Sequence, residues 1–232
     1  GGIVMDEITT VEATNYFSTR LQEQGPEPLF QYLIDLGARF TRTIGPPDEY
    51  MDPIKEYYED PKRRHYSFYL EGFEYRLAVC VEFSYLFFYG DIDFEEKHKN
   101  DLSATSLFSL VEKLIPKYSF KYGFFDISGD DYISEKAIAA TRLKNVFWAN
   151  FYGRPYVEKY GKEFLLGAPG WKKEELPDGT IKYILTESLF TRPDPSLEKE
   201  IKEYFAPKAK VKLFKPGPGP VGFDITVREV TE

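Results

Sequence analysis

Between His65 and Phe88 the sequence keeps a period of two, which suits extended chain and not helix. Tyr66, Phe68 and Leu70 alternate with His65, Ser67 and Tyr69, and Glu71-Gly72 offers a turn. Beyond it Leu77, Val79, Val81, Phe83, Tyr85 and Phe87 fall on one side, and Ala78, Cys80, Glu82, Ser84, Leu86 and Phe88 on the other. Apolar residues on both sides predict one long strand covered on both faces, paired with the first run as an antiparallel hairpin. A chain with such a strand must supply layers to cover it.

Helical spacing supplies candidates for those layers. Leu29, Leu33, Leu36 and Phe40 recur at three- and four-residue steps and predict a helix over 28–40. A second follows Asp101 or Ser103 as N-cap, with Leu107, Leu110, Val111, Leu114 and Ile115 as its stripe and Pro116 as its end. A third is read over 132–143, with Ala137, Ile138, Ala140 and Leu143 on its small-residue face, and a short one runs from Arg154-Pro155 to Tyr160 before Gly161. The last starts at Asp194-Pro195 and turns Leu197, Ile201, Tyr204 and Phe205 inward. Further strands are expected over 118–127 and 146–152, in a hairpin of 171–176 and 181–187 about Asp178-Gly179, and near 211–214. Residues 5–20 are amphipathic without a clear period. Residues 48–64, interrupted by Pro53 and Pro61, read as a loop with one helical turn.

The order of these elements predicts an α+β fold, a largely antiparallel sheet with helices on one face. It leaves room for two ferredoxin-like units. Three segments follow: a helical and loop segment over 1–64 packed on the core, an α+β core over 65–215, and a Pro/Gly-rich tail over 216–232.

Charge narrows the function classes. The 232 residues carry a net −8, and the excess sits in the first half: residues 1–100 hold 19 acids against 10 bases. Such a surface repels phosphate backbones, so nucleic acid is not expected as a partner, whereas a basic protein would be steered toward it. No run is long and apolar enough for a membrane span, no secretory signal is expected, and the single cysteine excludes an internal disulfide. The expected location is cytoplasmic.

No motif for chemistry stands out. The histidines, His65 and His98, have no local ligand partner, so no metal is expected. Cys80 lies within the apolar strand and reads as packing. Asp126-Ile127-Ser128-Gly129-Asp130-Asp131 starts like a calcium loop, but Asp131 stands where glycine is needed and Ala137 where glutamate is needed. Gly-rich phosphate loops and nucleophile elbows are absent from the sequence. No catalytic residue and no cofactor are assigned. Two acidic stretches read instead as contact surface. One holds Asp48, Tyr50, Tyr57 and Tyr58, since tyrosine gives large contact area at low entropy cost. The other, an acidic loop after Gly90, holds Asp91, Asp93, Glu95 and Glu96.

Tyr122-Gly123-Phe124, the phrase Trp148-Ala149-Asn150-Phe151-Tyr152-Gly153 with Gly161 eight residues on, and Pro193-Asp194-Pro195 before the closing helix form a recognisable series. Over residues 65–215 this resembles bacterial immunity proteins of polymorphic-toxin and type VI secretion systems. The resemblance implies a non-enzymatic protein that binds and neutralises a cognate toxin, and it transfers no binding residue. The alternatives are a small hydrolase built on buried carboxylates, with Glu82 as its acid, and a structural subunit of a larger assembly, for which a homodimer is admitted.

Overall fold

Residues 8–17 hold five β-branched side chains, Ile8, Thr9, Thr10, Val11 and Thr14, which favour extended backbone. They form strand β1 (Ile8–Phe17), and this strand is the middle of the sheet. The structure is a computed structural model that describes residues 8–17, 21–41, 49–63, 65–70, 75–81, 85–93, 112, 120–127 and 135–215. Strands follow as β2 (Ala38–Thr41), β3 (His65–Leu70), β4 (Tyr75–Cys80), β5 (Tyr85–Asp93), β6 (Phe120–Ile127), β7 (Asn145–Val146), β8 (Ala149–Tyr152), β9 (Lys172–Glu175), β10 (Ile181–Ile184) and β11 (Lys212–Leu213). Helices are α1 (Leu21–Gln24), α2 (Glu27–Asp35), α3 (Pro53–Glu59), α4 (Glu135–Ala139), α5 (Arg154–Tyr160), α6 (Lys162–Leu166) and α7 (Pro195–Phe205).

Nine strands make one antiparallel sheet in the order β2-β3-β4-β5-β1-β6-β8-β10-β9. β7 and β11 form a separate parallel pair, Lys212 against Asn145 and Leu213 against Val146. The fold is α+β. The N-terminal segment does not merely pack on the core, as expected: β1 lies between β5 and β6, with Thr14 opposite Phe87 on one side and Phe124 on the other.

Helices cover both faces of the sheet, not one. Along β6, Phe125 belongs to a core with Leu29, Phe30 and Leu33 of α2, Phe40 of β2, and Tyr66 and Phe68 of β3. Its neighbours Tyr122 and Phe124 belong to a second core with Tyr156 of α5, Leu165 of α6, and Ile201 and Phe205 of α7. Adjacent strand residues point to opposite faces, so α1–α3 lie over one face and α4–α7 over the other.

Several expected elements shift. The long run over 77–88 is divided, with β4 ending at Cys80 and β5 starting at Tyr85, and the two pair antiparallel. The helix over 28–40 stops at Asp35. Gly37 takes φ +95°, a left-handed backbone that glycine adopts freely, and Phe40 lies in β2. The strand over 146–152 is broken at Phe147 and Trp148 into β7 and β8. Of the expected helix over 132–143, Glu135–Ala139 is α4 and residues 140–143 are not helical, while residues 128–134 lie outside the described residues. So do the helix over 103–115, apart from Glu112, the tail over 216–232, and His98. The hairpin about Gly179 and the Asp194-capped α7 stand as read. Among the described residues no helix is long and apolar enough to cross a membrane.

Candidate partner-binding surface

Residues 49–63 are built as a cap over the first core. The Asp52 carboxylate accepts from the backbone N–H of Ile54 at 3.0 Å and of Lys55 at 3.4 Å, and Pro53 takes the first helical position of α3. Two turns of helix thus replace the expected loop. Pro53 and Glu56 turn inward, and Ile54 and Tyr57 pack against the core. Arg63 holds the cap down. Its Nη1 donates to Glu56 Oε2 at 3.0 Å, and its guanidinium lies 5.2 Å from the Phe40 ring centre and 5.5 Å from that of Tyr66. Burial pushes the Tyr66 phenol up to about 12, with Arg63 pulling the other way. Its hydroxyl has no hydrogen-bond partner among the described residues.

The outer side of the cap carries Asp52, Lys55, Tyr58, Glu59 and Asp60. Tyr58 is 67% exposed and Tyr50 is 52% exposed. Tyr58 donates its hydroxyl to Glu27 Oε2 at 2.8 Å, so α2 and α3 share one surface, and that hydrogen bond holds the phenol above its ordinary value. Residues 21–41 and 49–63 together hold eight acids against four bases.

The expected contact residues fare unevenly. Tyr58 stands on this surface, and Tyr50, three residues before α3, is exposed as well. Tyr57 does not: it is half-buried, meets Tyr58 edge-on at 5.7 Å and faces the core. Tyr57 lies four residues after Pro53 and next to Glu56, so it continues the inward stripe of α3 while Tyr58 turns out. Asp91 and Asp93 lie in β5 opposite Thr10 and Ile8, not in a loop. Asp48, Glu95, Glu96 and Glu82 lie outside the described residues. Glu27 was missed, because it meets Tyr58 across 31 positions and no local pattern announces it.

Buried charges elsewhere are spent on the fold. Asp126, fully buried on β6, accepts from Arg192 Nη1 at 2.6 Å and from the backbone N–H of Trp148 at 2.8 Å. Burial raises its carboxyl while Arg192 opposes that shift. The same guanidinium donates from Nη2 to the Phe214 carbonyl at 2.7 Å, tying β6 to the chain after β11. Asp126 is therefore a strand residue with a cationic partner, not the first ligand of a calcium loop. Cys80 is buried. Among the described residues no group of three or more His, Cys, Asp or Glu is placed to share a metal ion. In comparisons with known proteins, no family model, curated protein or solved structure matches the chain.

Proposed function

We propose that this protein is a non-catalytic inhibitor, an immunity protein that binds and neutralises a cognate bacterial toxin in the cytoplasm. The observation that carries the reading is the pair Tyr50 and Tyr58, large side chains left exposed on an acidic surface whose base is fastened by Glu56 and Arg63. Rigid, amphipathic tyrosines on a fixed support make good contact anchors, and surrounding carboxylates speed encounter with a basic protein. The resemblance of residues 65–215 to immunity proteins supplies the biological class. The two buried carboxylates described, Glu56 and Asp126, each face an arginine, which offers less to a hydrolase than an unpaired buried acid would.

The test uses the polypeptide encoded beside this gene. Mixed with the purified protein, it should form a complex whose association rate falls steeply as salt rises. Its toxic activity should be lost in the complex. Tyr50→Ala with Tyr58→Ala should raise the dissociation rate about tenfold or more, the range of interface anchors. A neighbour that neither binds nor loses activity overturns the proposal. Unchanged binding by the double variant moves the contact off this surface.

A further inference from the structure

A second feature lies between Glu135 and Glu158. Residues 136–157 contain Lys136, Arg142, Lys144 and Arg154 and no acid, in a chain that is otherwise rich in acids. Helix α4 ends there in a tight motif: the N–H of Thr141 bonds to the Ile138 carbonyl at 3.0 Å and that of Arg142 to the Ala137 carbonyl at 2.9 Å. The motif needs a left-handed residue, and Thr141 takes φ +54°. Glycine adopts this backbone without strain; a β-branched residue does so at a cost.

The four carbonyls that follow are each held by a side chain. Ala139 O accepts from Lys121 Nζ at 2.9 Å and Ala140 O from Lys159 Nζ at 3.0 Å. Thr141 O accepts from the Tyr160 hydroxyl at 2.8 Å and Arg142 O from the Tyr156 hydroxyl at 3.0 Å. The loop is thereby fixed from three directions, by β6, α5 and its own helix. The two ammoniums thus bond to successive carbonyls. Burial holds Lys121 below its ordinary value, and repulsion from the Lys159 charge adds to that shift. Among the described residues no carboxylate pairs with either ammonium, whereas nearby Arg154 pairs with Glu158 at 2.7 Å. The Thr141 hydroxyl, on the next residue along, makes no hydrogen bond among the described residues.

We infer that Lys121, Lys159 and Thr141 form a site for a compact oxyanion of the phosphate class. Each ammonium spends one N–H on its carbonyl and keeps others for a ligand. A dianion between them removes the repulsion, and the threonine hydroxyl adds a third donor. That donor gives a reason for threonine where glycine would relax the turn. The acidic remainder of the chain disfavours a polyanion, which leaves a small phosphate or phosphomonoester as the fitting class. This inference stands apart from polypeptide binding at α2 and α3.

The probe is inorganic phosphate, titrated into the full chain at constant ionic strength. Phosphorus NMR line width and Tm are followed together. The wild type should show saturable broadening and a rising Tm. Lys121→Met with Lys159→Met, checked for folding by circular dichroism, should bind about tenfold more weakly or worse, as expected for lost charge-assisted hydrogen bonds. Thr141→Gly should bind several-fold more weakly while being the more stable protein, a combination that a purely structural role for Thr141 does not give. An unperturbed phosphorus line with the wild type overturns the site. So does equal broadening by the folded lysine variant. An equal rise in Tm with acetate at matched ionic strength overturns the phosphate class.

Discussion

Thr141 is the one non-glycine residue with a positive φ among the described residues, and its cost can be measured. Replacing it by glycine should raise stability by about 1 kcal/mol in urea unfolding, because relief of the left-handed strain exceeds the added freedom of the unfolded chain. A second residue-scale prediction concerns Asp126. Its folded carboxyl sits above the ordinary 3.8 even with Arg192 beside it. A carboxyl raised in the folded state weakens the fold as pH climbs from its unfolded value through its folded one. Arg192→Met removes the opposing cation, so the carboxyl rises further and that window widens upward. The variant should lose about 3 kcal/mol near neutral pH, the lower end for breaking a buried pair since Arg192 is partly exposed. It should recover part of the loss on mild acidification. Urea midpoints across pH check both claims, and a pH-independent loss would contradict the second.

The β9–β10 hairpin shows the same physics at the scale of an element. Lys182 is buried on β10 and is held by Glu112 at 3.0 Å and Glu174 at 2.9 Å. Burial works against its charge, but the two carboxylates prevail and raise it above 10.5, while hydrogen bonding to Lys182 lowers Glu174 below 4.5. The lysine's contribution is complete below pH 10.5 and fades as pH rises through its higher folded value. That of Glu174 is complete above pH 4.5 and fades as pH falls through its depressed one. Lys182→Met should flatten both ends of the stability profile, measured by thermal unfolding against pH. Gly170, just before β9, is equally constrained: a Cβ there would meet Tyr183 Cε2 at 2.7 Å and the Ile184 carbonyl at 3.0 Å. Gly170→Ala should cost about 2 kcal/mol, an overpacking penalty readable in the urea midpoint. The turn of this hairpin was plain in the sequence, because Asp178-Gly179 is a local signal and Gly179 takes φ +86°. The cap and first proline of α7 were plain for the same reason. β1 was not, since threonine, glutamate and asparagine in a central strand read as surface residues. Period two also cannot say where a run covered on both faces bends, and so β4 and β5 were read as one. At the candidate surface, Tyr50 and Tyr58 were found from composition. Tyr57 was misplaced, and Glu27 was invisible because only folding brings it to Tyr58.

On the scale of the molecule, charge is uneven. Helices α1–α3, over one face of the sheet, hold five acids against one base, whereas α4–α7, over the other, hold six of each. A partner would meet a molecule with direction, so added salt should slow association more than it speeds dissociation. Within the sheet, β1 joins the two halves by hydrogen-bonding to β5 and β6 at once. Proline at Thr14 would remove a ladder donor in the middle of the sheet, and unfolding should cost about 3 kcal/mol less or the chain should fail to fold, as judged by circular dichroism. β1 is thus made well before both of its neighbours, since Phe87 and Phe124 emerge many residues after Thr14. A nascent chain, or one trimmed of residues 8–17, would present two raw seams where the finished protein has none, and those seams are where it would glue itself to its copies.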